Sequence, residues 1–160
     1  MKKLFAFFIP VIFFFLSFGT AEAEADTWIS EEAQDACIEI GKQYGICPEL
    51  LMAIIEHESS GKADAVNGSC KGLMQVSEKW HKDRMMRLGV SDIYDTYGNI
   101  LVATDYLAEL FSENDDLYWV LMAYNGGIDY ADRMYEAEKY SRYAVSISAR
   151  SAELEKLHGK

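Results

Sequence analysis

The sequence predicts a single, mainly α-helical domain with one small loop or hairpin region, and three observations carry that expectation. Apolar residues recur at helical spacing along most of the chain, strand-like alternation is hard to find, and the stretch from Ser59 to Lys71 is rich in Ser, Gly, Asn and Asp. Beyond the N-terminal segment there is no internal repeat, low-complexity tract or Pro/Gly linker, so one compact unit is expected.

The first element is not part of that unit. Lys2 and Lys3 precede an apolar run from Leu4 to Phe18 and the small-residue stretch Gly19–Ala25, which is the order of a secretory signal peptide. Residues 1–23 are expected to be removed, with cleavage at 23 or 25, leaving a domain over 26–160 in the extracytoplasmic space. An uncleaved run would instead be an N-terminal membrane anchor, but it is short for a span of roughly 20 residues and is interrupted by Pro10. Loss of Met1–Ala23 removes two lysines and one glutamate, so the mature chain is one unit more negative than the formal −11 of the whole. Such a surface repels polyphosphates, which argues against nucleic acid as a partner. About 137 residues remain, enough for one core.

Helices follow in order. Ala33, Cys37, Ile40 and Tyr44 form one amphipathic stripe, and Pro48 suits the first turn of a second helix running to about Glu58. Ile100, Thr104, Leu107, Ala108 and Phe111 mark a third. Further helices are expected over Leu117 to Tyr124, over Ile128 to Tyr140, and from Tyr143 to about Leu157. Cys37, Cys47 and Cys70 permit three single disulfide pairings, and sequence does not choose among them. His57, His81 and His158 are scattered and no CxxC spacing occurs, so neither a metal nor a cofactor is expected.

Within the second helix, successive residues turn by about 100 degrees, which puts Glu58 at about 80 degrees from Leu50, inside the stripe made by Leu51, Ile54 and Ile55. Glu49 and Glu56 fall on the opposite face, at about 260 and 240 degrees, and are expected to be solvated surface carboxylates. A carboxyl on the core side loses water, which disfavours its charged form and raises its pKa, the property a general acid needs near neutral pH.

Glu58-Ser59, the polar loop, Gly72-Leu73-Met74-Gln75 and Ala123-Tyr124-Asn125-Gly126-Gly127 occur in that order. Together they resemble the catalytic domain of the soluble lytic transglycosylases and the related goose-type lysozymes. Asn99-Ile100 with Tyr106-Leu107 is similar to the family's central helix, and Tyr143 in Arg142-Tyr143-Ala144-Val145 to its C-terminal tyrosine. The likeness extends from roughly Ile46 to Ile147.

The resemblance implies an α+β, lysozyme-like fold and action on the glycan strands of peptidoglycan. Glu58 would be the catalytic acid and base, Met74 and Gln75 would line the sugar groove, and Tyr124 and Asn125 would close it. Ser59 would donate a hydrogen bond to substrate or to the carboxylate, and Tyr143 would join the substrate-binding set. The expected reaction leaves a 1,6-anhydromuramic end. Two departures bear on this: Ser77 stands where goose-type lysozymes have an acidic residue, and nothing like the longer transglycosylases' proline-containing motif precedes Tyr143. A water-delivering muramidase is the alternative, with Asp64, Asp83, Asp92 or Asp95 as distant base, and a non-catalytic wall-binding or assembly protein is the second.

Overall fold

The computed structural model describes residues 27–160, so the signal peptide, its cleavage site and the anchor reading lie outside the described residues. The domain is built from α1 (Glu31–Tyr44), α2 (Pro48–Ser59), β1 (Val66–Asn67), β2 (Cys70–Lys71), β3 (Val76–Ser77), α3 (Glu78–Leu88), α4 (Thr96–Glu113), α5 (Leu117–Gly126), α6 (Ile128–Glu136) and α7 (Arg142–Leu157). The three short strands form one antiparallel sheet in the order β1-β2-β3, within and just after the stretch expected to be irregular. The mainly α class is as the sequence predicts.

Local chemistry fixes the helix ends. Ser30, Asp95, Asp116 and Ser141 each accept a hydrogen bond from a backbone N–H in the first turn of α1, α4, α5 and α7, respectively, which satisfies donors the helix leaves open. Pro48 occupies the start of α2, where its missing N–H costs nothing. The sixth helix stops at Glu136, short of the expected Tyr140, because Glu138 adopts a left-handed conformation (φ 54°) that no helix continues.

One helix escaped the sequence reading altogether. α3 buries only Met85 among its eleven residues, so it lacks the apolar stripe that announces an amphipathic helix. Charge holds it instead: Arg84 pairs with Asp105 and with Glu109 on α4, and Arg87 reaches Asp105 at 2.7 Å.

At the centre lies α2, packed by α1 on one side and α7 on the other. Leu51, Ile54 and Ile55 are fully buried, but so are Glu49 and Glu56, at 1% and 6% exposure. This overturns the expectation that those two carboxylates face solvent. A wheel argument assumes one wet face, and α2 has hardly any. Both charges are met by cations. Glu56 accepts from Thr27 Oγ1 (2.7 Å) and from Arg150 on α7 (Nε 2.6 Å, Nη2 3.1 Å). Glu49 accepts from Lys160 Nζ (2.7 Å) and Cys47 Sγ (3.0 Å), and His158 Nδ1 lies 2.7 Å away. Cys37, Cys47 and Cys70 are all free thiols, so none of the three pairings is formed.

One buried amide ties the sheet region to α4. Asn99, buried on α4, accepts from the Met74 N–H (2.8 Å) and donates to the carbonyls of Lys71 (3.0 Å) and Ile93 (2.8 Å). Gly72 lies directly beneath it at φ 76°, and a Cβ there would fall 2.2 Å from the Asn99 amide nitrogen. Both the conformation and the space demand glycine.

Candidate active site

Glu58 sits in the last turn of α2, half-buried, and α7 brings Tyr143 against it. The Tyr143 hydroxyl donates to Glu58 Oε1 at 2.6 Å, although 85 residues separate the two in sequence. Burial raises the Glu58 pKa, and the Tyr143 hydrogen bond and the nearby His57 pull part of that rise back. Tyr143 is itself buried and titrates far above its ordinary range, because its ring is desolvated and Glu58 lies beside it. Among the described residues, no cation forms an ion pair with Glu58. A carboxyl kept dry and held by a neutral phenol is suited to carry a proton near neutral pH.

Tyr124, on α5, is the third member of this cluster. Burial first, and the Glu58 charge second, push its pKa well up. Its hydroxyl donates not to Glu58 but to the Met74 carbonyl, at 2.7 Å. Of the two phenols, Tyr143 is therefore the one that bonds the carboxyl.

Beyond Tyr124 opens a groove of about 620 Å³, lined by Gln75, Ser77, Trp80, Tyr106, Tyr124 and Asn125 among others. Glu58 is outside that lining, and its charge is felt at Tyr124, which lines the groove. Asn125 is exposed at the end of α5, where a ligand can reach it. Gln75 adopts a left-handed backbone (φ 51°), and its amide nitrogen donates to the carbonyls of Gly72 (2.9 Å) and Ala65 (3.3 Å), tying the strand region together. Its Oε1 is buried without a hydrogen-bond partner.

Two expected groove residues lie elsewhere. Met74 is fully buried in the core, so its side chain lines nothing, and what it offers the site is its carbonyl. Ser59 is buried, and its hydroxyl donates back to the Ile55 carbonyl at 3.1 Å, the local bond that serine makes inside a helix, instead of to Glu58 or the groove.

Residues 35–145 match the transglycosylase SLT domain family. The chain belongs to that family. Its relatives include a transglycosylase of Enterobacteria phage PRD1, 31% identical over 61% of this chain and 36% of that protein. The invasion protein IagB of Salmonella typhimurium is 29% identical over 76% of this chain and 73% of its own. The membrane-bound lytic murein transglycosylase C of Serratia proteamaculans is 32% identical over 61% of this chain. The chain thus spans about three quarters of IagB but only about a third of the phage and murein enzymes. An inactive glutamate-to-glutamine mutant of the lytic transglycosylase Slt from Pseudomonas aeruginosa shares the fold, with a TM-score of 0.69 at 17% identity over 79% of this chain and 24% of that one.

The SLT family motifs pointed to Glu58, Gln75, Tyr124, Asn125 and Tyr143. They did not point to Trp80, His81, Arg84 or Glu109, which also line the groove. These residues come from α3 and from the face of α4 opposite it, and no sequence signal announces α3. The aspartates weighed as distant bases are not among them: Asp64 and Asp83 are exposed, Asp92 accepts from the Tyr94 N–H, and Asp95 caps α4. The carboxylate that does line the groove, Glu109, is paired with Arg84 at 2.5 Å.

Proposed function

We propose that this protein is a peptidoglycan lytic transglycosylase that cleaves the β-1,4 bond between N-acetylmuramic acid and N-acetylglucosamine with Glu58 as its single catalytic carboxyl. The observation that carries the reading is the desolvated Glu58 held by the neutral Tyr143 hydroxyl at 2.6 Å. Family membership supports it, as does the Pseudomonas Slt enzyme, in which one glutamate-to-glutamine change gives an inactive protein.

In this mechanism protonated Glu58 gives its proton to the glycosidic oxygen as that bond breaks and positive charge builds at the anomeric carbon. The substrate's own N-acetyl oxygen bonds to that carbon and stabilises it. Glu58, now a carboxylate, takes the proton from the C6 hydroxyl of the same sugar. The hydroxyl oxygen attacks the anomeric carbon and displaces the acetamido oxygen, leaving a 1,6-anhydro ring. Because the C6 hydroxyl is tethered to the reacting sugar it acts at high effective molarity, so no second carboxylate is required as nucleophile or base. Tyr143 favours the ionised half of the cycle by donating to the carboxylate, and burial favours the protonated half, so the two influences keep both forms of Glu58 within reach. The groove beside Tyr124 has a volume in the range that accommodates a sugar-sized ligand.

Mass spectrometry of peptidoglycan digested by the mature protein tests this reading. Anhydromuramic ends support it. Reducing muramic ends carrying oxygen from labelled water would make the protein a muramidase, and intact glycan would leave a wall-binding protein.

A further inference from the structure

His57 precedes the catalytic glutamate on α2 and belongs to neither the groove nor the SLT motifs. Its imidazole meets the Tyr143 ring nearly edge-on, with centroids 4.8 Å apart and planes at 74°. That is the geometry in which aromatic rings attract each other beyond simple burial. Tyr143 in turn holds Glu58 through one hydrogen bond. Behind His57 lies a separate cavity of about 270 Å³, floored by Ala53 and Ile147 and edged by Trp28 and the Glu56–Arg150 pair. The imidazole thus stands between that open space and the buried Tyr143 ring that it touches.

We infer that His57 is a positioning residue for the general acid: its ring braces Tyr143, and thereby fixes the hydrogen bond that orients Glu58 Oε1. The inference rests on the proposed role of Glu58. Charged and titratable groups face His57 from two helices, α2 and α7. On its own helix they are Glu56 and Glu58. From α7 come the Tyr143 phenol and the Arg150 guanidinium, which is already paired with Glu56 and with Glu153 at 2.9 Å. A positive charge on His57 would favour ionised Glu58 in addition to the packing effect of the ring.

Two variants separate them. His57→Ala removes ring and charge, whereas His57→Phe keeps a ring against Tyr143 without the charge. Because His57 is exposed, neither is expected to lower Tm appreciably. The expected result is a roughly tenfold loss of kcat in His57→Ala with KM changed by less than about twofold, and recovery of most of that loss in His57→Phe. The Glu58 titration, followed by carbon-13 NMR of labelled glutamate, should move to higher pH in both, and further in His57→Ala, where the Tyr143 bond is loosened as well. A kcat and a Glu58 titration in His57→Ala equal to wild type would overturn the inference. So would equal impairment of the Ala and Phe variants, since ring contact would then contribute nothing. A fully active Glu58→Gln variant is a different outcome, because it removes the proposed acid itself whatever the His57 variants do.

Discussion

Three carboxylates ride on α2, and they divide by what meets them. Glu49 and Glu56 lie deepest, yet each is saturated: Lys160, His158 and Cys47 surround the first, Arg150 and Thr27 the second. Glu58, at the C-terminal end of the same helix, is less deeply buried and meets a phenol in place of a cation. Burial alone therefore does not make an acid. Glu49 shows this most clearly, since burial pushes its pKa up but the hydrogen bonds from Cys47, Lys160 and His158 win and hold it down at about 2. At Glu58 the balance runs the other way, and the net shift is upward.

The sharpest test of that contrast is Glu58→Gln, which should reduce glycan cleavage by roughly 10²- to 10⁴-fold or more, measured as release of soluble muropeptides. It should also stabilise the fold at neutral pH. A carboxyl whose folded pKa is raised contributes most stability below its unfolded pKa and loses it as pH rises through the folded value, and an amide does not titrate. Melting curves at pH 4 and pH 8 would reveal the sign, and a lower Tm for the variant at pH 8 would contradict it.

Tyr143→Phe is next in size. It removes a hydrogen bond to a group that is charged for part of the proposed cycle, worth about 1.5 to 3 kcal/mol, so kcat/KM should fall by roughly ten- to a hundredfold. The Glu58 titration should rise, because what favoured the ionised form is gone. Unchanged kinetics would assign Tyr143 to packing alone.

Changes at the saturated carboxylates should show up in stability and spare the chemistry. Glu49→Ala leaves Lys160 and His158 facing an empty site, with an expected loss of about 1 to 3 kcal/mol in urea denaturation, discounted because Lys160 is half exposed. Since the Glu49 pKa is lowered, its contribution is present above the ordinary value near 4.5 and disappears as pH falls toward about 2, so wild type and variant should converge in acid. Glu56→Gln should cost about 1 kcal/mol through a weakened Arg150 pair, with kcat preserved. The solvated position expected from the helical wheel would have made that change silent.

Smallest of all, Tyr124→Phe deprives the Met74 carbonyl of its donor and should cost about 0.5 to 1.5 kcal/mol of stability. A drop in kcat beyond what that loosening explains would bring the hydroxyl back into the chemistry.

Sequence reasoning reached the helical class, and singled out Glu58 as the candidate acid, because both readings depend on local periodicity and on motifs that stay together. It misjudged Glu49 and Glu56 by the same logic, since the number of neighbours around a helix is a tertiary fact. α3 stayed hidden because ion pairs to α4 hold it, and partners of that kind are scattered along the chain. Met74 and Ser59 were near the right place with the wrong assignment: residues inside a motif can be there for the backbone or the core. The link from Tyr143 to Glu58 was beyond any wheel or spacing, because it exists only once α7 folds back along α2.

The Asn99 amide and the bare Cα of Gly72 make two distant codons one unit of inheritance. Any side chain at residue 72 collides with the amide, and replacing the amide at residue 99 strips Met74, Lys71 and Ile93 of partners at a single stroke. Neither position can change first without breaking the other's contacts. A combinatorial library of the region from Ser59 to Ser77 should keep far more folded clones when Gly72 is spared than when it is varied, and no second change at residue 99 should recover the difference.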